Sequence, residues 1–279
     1  MQPSEQARIA QVAALFDRVA DTYDTVGVPW FTPIAEGLVR QLAPRAGEAA
    51  LDIGCGRGAA LLPLAEAVGP TGSVTGIDLA PAMVTATRDE ASRRGLTWVD
   101  VRLADAAAPD LPAAGFDLVA SSLVLFFLPD PTAALRGWRE LLVPGARLGV
   151  ATLGDRDPRW EQLDAFFRPY LPPQLLDART SGAAGPFASD AGVEELLTAA
   201  GYQRVRTVGL DVEAVFTDPE HWYTFSMSHG QRVMWDAVPP DERATVRAAT
   251  TDFAGRLRDA DGMIRFTQRV RYTLGERPR

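Results

Sequence analysis

Leu51-Asp52-Ile53-Gly54-Cys55-Gly56-Arg57-Gly58 runs directly into Ala59-Ala60-Leu61-Leu62-Pro63-Leu64-Ala65. A short apolar run carrying one acid ends in three glycines at alternate positions, and a helical pattern then begins. Strand, glycine turn and helix start together make a floor. Glycine has no side chain to keep a ligand off the backbone, and the helix start offers free N–H groups. What lies on that floor decides the function.

Outward from this turn, strand and helix alternate. Strands are expected near 49–53, 73–79, 97–103, 116–122 and 146–153, with helices near 58–68, 81–94 and 131–142. Gly69-Pro70 and Gly95 stop the first two helices, and Asp130-Pro131 opens the third as cap and first-turn proline. Such alternation calls for a parallel sheet with right-handed crossovers. Upstream, Ile9, Val12, Phe16, Val19 and Tyr23 recur at helical spacing over 4–24, with Ser4 able to cap. A second helix follows from Ile34, Leu38, Val39 and Leu42.

The second half is less regular. Residues 155–190 are rich in proline and glycine but carry an apolar stripe of Trp160, Leu163, Phe166, Phe167 and Tyr170. A helix at 191–200, a strand near 203–216, a helical segment over 218–258 and a strand over 263–274 complete the chain. The two late strands predict an antiparallel edge hairpin with a lid between its arms. The expected fold is therefore α/β, a Rossmann-like doubly wound seven-stranded sheet, mostly parallel with an antiparallel edge strand, plus a helical cap. One domain is expected over 1–279. N-terminal helices fill 1–48, the ligand-binding core 49–153, and cap insertions 154–190 and 217–260.

Composition closes several options. No apolar run reaches the ~18 residues of a spanning helix, and the N-terminus lacks a signal pattern, so no membrane role and a cytoplasmic location are expected. The net charge of −8 and the lack of any basic stretch beyond Arg93-Arg94 argue against a nucleic-acid partner. Cys55 is the one cysteine, which rules out an intrachain disulfide. All 28 basic residues are arginine, and asparagine is absent too. Without lysine there is no Schiff base, no Tyr-x-x-x-Lys dyad and no Walker lysine.

Two ligands compete for the glycine floor. Gly54 to Ala59 can be laid on the dinucleotide pattern G-x-G-x-x-G/A, with Asp78 ending the next strand where a ribose-binding acid belongs. Against a dinucleotide, Asp52 would repel a pyrophosphate at the helix start but attract an ammonium. Ala104-Asp105-Ala106 after the third strand adds a carboxylate able to accept from an exocyclic amine. No residue set for hydride transfer is apparent.

With these residues the chain resembles the class I S-adenosylmethionine (SAM)-dependent methyltransferases. Leu51 to Gly58 looks like their first motif, Gly76-Ile77-Asp78-Leu79 like the ribose-binding acid, and Ala104-Asp105-Ala106 like the adenine-amine motif. Phe116 to Ser122 resembles the fourth strand, and Leu141-Leu142-Val143-Pro144-Gly145-Ala146 the turn before the fifth. Phe16 to Asp24 is similar to the N-terminal helix of ubiquinone/menaquinone and bacterial natural-product methyltransferases. The ordered match spans about residues 15–153. The resemblance implies SAM as cofactor, S-adenosylhomocysteine as product, and contacts from Tyr23, Asp52, Gly54, Gly56, Gly58, Asp78, Leu79, Met83, Asp105, Ala106 and Ser121. It also sets Tyr23 over the methionine end, as a catalytic candidate as well as a cofactor contact.

Methyl transfer from a sulfonium is an in-line displacement, helped mainly by holding the acceptor at attack distance. A base is needed only where the acceptor must lose a proton. Ser121-Ser122-Leu123-Val124 replaces the Asn/Asp-Pro-Pro-Tyr run of exocyclic-amine methylases. Cys55 is committed to the turn, no Lys-Asp-Lys-Glu tetrad exists, and the asparagine of metal-dependent catechol methylation is missing, so no metal is expected. The cap then sets the substrate. On a continuous helix Trp222, Phe225 and His229 share one stripe and His221 lies beside Phe225. An aromatic wall with an imidazole suits a planar acceptor, with His229 as orienter or base, unless these side chains simply pack the cap. Trp30, Phe31, Phe126 and Phe127 extend the pocket, one of the last two facing the core. The expected acceptor is a small aromatic natural product, with ring carbon favoured slightly over oxygen or nitrogen. A related fold that binds SAM but catalyses a cyclisation, and a nicotinamide reductase, are the alternatives. The protein itself is expected to be a monomer or homodimer.

Overall fold

The computed structural model describes residues 5–171 and 184–279. The expected cap Ser4 and residues 172–183 of the expected 154–190 insertion lie outside the described residues.

Seven strands form one sheet: β1 (Ala49–Ile53), β2 (Ser73–Asp78), β3 (Val99–Leu103), β4 (Phe116–Ser122), β5 (Leu142–Arg156), β6 (Gln203–Phe216) and β7 (Ile264–Glu276). Their order is β3-β2-β1-β4-β5-β7-β6. β1 to β5 pair in parallel, and β7 runs antiparallel to both β5 and β6. The edge hairpin expected from the sequence is thus β6 with β7. Within it β7 is the reversed strand, and β6 forms the rim.

Side chains alternate across the sheet, so each face has its own core. Ala50, Leu118 and Ala120 face one layer with Leu38, Leu42, Leu61 and Leu64. Leu51, Ile53, Val119 and Leu148 face the other with Leu135, Trp138 and Leu197. Each fully buried leucine contributes about 1.5–3 kcal/mol, and a parallel sheet needs both faces covered. Helices α2 (Phe31–Leu42), α3 (Leu61–Val68) and α4 (Pro81–Arg93) serve the first face, and α5 (Pro131–Leu141) and α7 (Asp190–Ala199) the second. Asp130 caps α5 as expected, its Oδ1 accepting from Ala133 N at 2.9 Å ahead of Pro131.

Strand order reverses between β1 and β4. Parallel sheets open a crevice at such a point, beyond the carboxyl ends of the strands. Asp52 lies at that end of β1, paired in register with Ala120 on one side and Gly76 on the other.

Three expected helices are shorter than the sequence pattern predicts, and α3 begins at Leu61 rather than near 58 because the glycine turn runs on through Ala60. Helix α1 covers Glu5–Val19, and the chain then turns through Asp24, whose φ of 56° lies in the left-handed region. The expected helical segment 218–258 divides into α8 (Pro219–Met227), α9 (Arg232–Ala237) and α10 (Arg243–Gly255). Its first break has a local cause. The Phe225 carbonyl accepts from Ser228 N, Ser228 Oγ and His229 Nδ1, in place of the amide a continuing helix would supply. Pro239-Pro240 supplies the second break by removing two N–H donors. A short helix α6 (Pro158–Asp164) joins the cap.

Candidate active site

The glycine turn is held from beneath. Gly54 N and Cys55 N both donate to the Ile77 carbonyl, at 2.8 and 2.9 Å. Thr87 Oγ1, fully buried, donates to the Gly56 carbonyl. Gly54 (φ 72°) and Gly56 (φ 49°) both sit where L side chains are strained. They differ in what a Cβ would meet. At Gly54 it would lie 2.3 Å from Val124 Cγ2, whereas at Gly56 it would meet nothing within 4 Å among the described residues. Gly56 therefore presents bare backbone to open space.

Three acids stand around the turn. Asp52 is 1% exposed, and neither carboxylate oxygen has a hydrogen-bond partner among the described residues. Burial, reinforced by the charge of Asp78, pushes its pKa up to about 7; the Leu61 amide opposes the shift from outside full hydrogen-bond geometry. Asp78, at the end of β2, accepts from Gly56 N at 2.8 Å and Ala80 N at 2.9 Å. Burial raises its pKa, and those amides, with that of Leu79, pull back. Half-buried Asp105 follows β3 and accepts from Ala107 N at 2.8 Å. The neighbouring Ala106 carbonyl accepts from Trp138 Nε1 at 2.7 Å.

A cavity of about 40 Å³ opens over the turn, lined among others by Tyr23, Phe31, Asp52, Gly56, Arg57 and Ser122. Tyr23 stacks on Phe31 with ring centroids 4.2 Å apart and 23° between planes. Burial first, then Asp24 and Asp78, raise the Tyr23 pKa, so its hydroxyl stays protonated and able to donate. A separate hollow of about 210 Å³ lies between α8, α9 and α10, lined by Tyr223, Trp235 and Arg247 among others; it shares no lining residue with the cavity.

His229 reaches this wall through Phe31, at 5.6 Å between ring centroids, and lies 4.3 Å from the Phe225 ring. Its Nδ1 meets the Phe225 carbonyl at 2.7 Å. A carbonyl cannot donate, so Nδ1 carries the proton and Nε2 keeps its lone pair. Burial lowers the His229 pKa to about 4. His221 has both nitrogens engaged: Nε2 faces the Val26 carbonyl at 2.9 Å, and Nδ1 accepts from Thr217 N at 3.3 Å. It fastens α8 to the loop before α2.

The other expected residues lie further back. Trp222 and Phe225 are buried in the cap, and Trp30 packs on Trp160 at 5.3 Å and on Phe225 at 6.3 Å. Phe126 points into the second core against Phe187, while Phe127 meets Phe16 of α1. Met83 sits beneath α1 with Val19 and Ala20. Ser121 Oγ donates to the Ile53 carbonyl at 3.0 Å, tying β4 to β1.

Three residues escaped the sequence reading. Ser122 lines the cavity, whereas the expected Ser121 turns to the Ile53 carbonyl. Arg57 lines the cavity and donates from Nη1 to the Ala20 carbonyl at 2.8 Å, joining the turn to the end of α1. Its signal was available: it is the sole cation within the glycine stretch. Asp24 accepts from Trp30 N, Phe31 N and Thr32 N, which fixes the start of α2 beside Tyr23. No short pattern marks a cap six to eight residues distant.

The site fits the cofactor implied by the motifs. Orphaned Asp52 offers a counter-charge for a cation, and bare Gly56 leaves room that a side chain would fill. Comparison with known proteins agrees. A methyltransferase-domain family model matches residues 51–150. Nocamycin O-methyltransferase of Saccharothrix syringae is 38% identical over 274 residues, covering 94% of this chain and 96% of the relative. Aklanonic acid methyltransferase DauC of Streptomyces sp. (strain C5) is 43% identical over 167 residues, covering 60% of this chain and 76% of the relative. Among solved structures, the [4+2]-cyclase SpnF is 21% identical with a TM-score of 0.61 and 97% of both chains covered, a likeness of fold alone. The chain belongs to the SAM-dependent methyltransferases.

Proposed function

We propose that this enzyme transfers a methyl group from SAM to an oxygen of a small, partly aromatic natural product. One observation carries the choice of oxygen: a relative that matches nearly the whole chain is named an O-methyltransferase. It outweighs the slight preference for ring carbon drawn from the ubiquinone/menaquinone resemblance.

When bound, SAM supplies an electrophilic methyl on its sulfonium. Asp78 would hold the ribose, Asp105 and Ala106 the adenine side, and the Gly54–Gly58 backbone the middle, with Leu79 and Met83 alongside. Asp52 and Tyr23 would serve the methionine end. The acids and the glycine turn are supported by position, at the carboxyl ends of β1 to β3 where this fold binds ligands, and Tyr23 by lining the cavity over that turn. Tyr23 and Phe31 offer aromatic faces that suit both a sulfonium and a planar acceptor.

His229 is neutral at pH 7, with Nε2 as a hydrogen-bond acceptor. A pKa near 4 makes it a weak base, so we assign it to orienting an acceptor hydroxyl. The acceptor oxygen must then ionise largely on its own. A carboxylic acid or acidic enol fits better than an alcohol, in line with a relative named for aklanonic acid. Trp30, Trp222, Phe225 and Phe126 would shape the pocket from behind, and His221 would secure it.

The test is a screen of acidic aromatic acceptors with SAM, following both products by mass spectrometry. One S-adenosylhomocysteine per O-methylated product is expected. Product without S-adenosylhomocysteine would mean a cyclase-like role, and methyl on carbon would overturn the choice of oxygen.

A further inference from the structure

We propose that the Asp52 carboxyl gives up a proton as the cationic cofactor binds, so that the site gains much of its counter-charge on binding; this rests on the SAM reading above. Asp52 lines the cavity, is 1% exposed, and has two oxygens without a partner among the described residues. An ionised carboxylate held this way carries its full desolvation cost.

The groups that face it do not relieve that cost. From the end of β2, Asp78 adds a like charge. On the turn, burial holds the Cys55 thiol protonated, and Asp52 and Asp78 push it the same way. In the turn after α1, the Tyr23 phenol is also held protonated. Arg57 lines the same cavity but turns Nη1 to the Ala20 carbonyl. From α3 the Leu61 amide alone favours the ionised form. The free protein therefore keeps much of Asp52 protonated near neutral pH.

An entering sulfonium and ammonium reverse the balance, because an opposite charge favours the ionised form. The acid dissociates to carboxylate and a proton, which passes to the buffer; no other bond changes. By linkage, Asp52 makes cofactor affinity rise with pH until its carboxyl is already ionised in the free protein.

The test is calorimetric titration of SAM into the full chain at pH 6.5, in buffers of different ionisation heat. A pKa near 7 implies release of about three-quarters of a proton per cofactor bound. Asp52→Asn should abolish the buffer dependence. Infrared difference spectra of wild-type protein give a second readout, independent of whether that variant folds: a protonated-carboxyl C=O band should vanish on binding. Tight binding with buffer-independent heat and an unchanged carboxyl band would overturn the proposal alone. Failure of the wild-type protein to bind SAM would overturn the cofactor reading and the proposal together.

Discussion

Tyr23 and Phe31 stack face to face at 4.2 Å, and His229 meets the outer edge of the same pair through Phe31. The stack joins the turn after α1 to the start of α2 above the glycine turn. It thus links the cofactor floor to the cap. An aromatic face beside the bound sulfonium contributes about 0.5–1 kcal/mol, equivalent to roughly two- to fivefold in affinity. Phe31→Ala should weaken SAM binding by about that factor, while Tyr23→Phe keeps the stack and most of the affinity. Calorimetry checks this; wild-type affinity in Phe31→Ala would remove the stack from the binding site.

The two central glycines should respond differently to alanine. Both changes strain a positive φ, by roughly 1–2 kcal/mol. Gly54→Ala also drives a methyl into Val124, so it should lower the melting temperature clearly. Gly56→Ala enters open space and should melt closer to wild type, yet lose most cofactor binding. Thermal melts with and without SAM compare them. Equal melting losses, or intact SAM protection in Gly56→Ala, would contradict the assignment.

Asp24 caps α2 through three backbone amides at 2.9–3.2 Å. Asp24→Ala should cost about 1–2 kcal/mol, or roughly 2–6 °C in melting temperature. Asp24→Asn should recover part of the loss, since asparagine also accepts hydrogen bonds and tolerates positive φ. No change in either variant would show that the cap carries no stability.

His229 makes a pH-dependent contribution of definite sign. Burial lowers its pKa from 6.5 to about 4, so between those values the unfolded chain binds more protons than the folded one. Its contribution to stability is present above pH 6.5 and is lost as pH falls toward 4. The stability of the wild type relative to His229→Gln should therefore decrease across that window and stay flat above it. Asp52 slopes oppositely in the wild type, because its raised pKa favours folding at low pH. Only the difference between variant and wild type, from melts at several pH values, isolates His229. A difference independent of pH would mean that the imidazole is not buried neutral.

The sheet was legible because its signals are local. β1, β4 and β6 have the expected bounds, and the helix stops at Gly69 and Gly95 agree with positive φ at both. The cap was not legible in the same way. Trp222, Phe225 and His229 were expected on one helix, but three donors converge on the Phe225 carbonyl and end α8 before His229. That competition depends on side-chain rotamers, which periodicity does not encode. Phe126 and Phe127 share one composition, and only packing against Phe187 or Phe16 separates them.

Sequence by itself determined the α/β sheet, the glycine turn at its centre and the acids at the strand ends. Strand alternation, glycine stops and motif spacing are properties of short stretches of chain. Tertiary structure decided what those groups can do. It closed Asp52 into a cavity without a partner among the described residues, committed the nitrogens of His221 to Val26 and Thr217, and locked His229 as the Nδ1–H tautomer. The physical reason is that charge state and hydrogen-bond capacity depend on desolvation and on neighbours distant in the chain. Asp52 and Asp78 are 26 positions apart, and Val26 and His221 are separated by 195; folding alone brings each pair together.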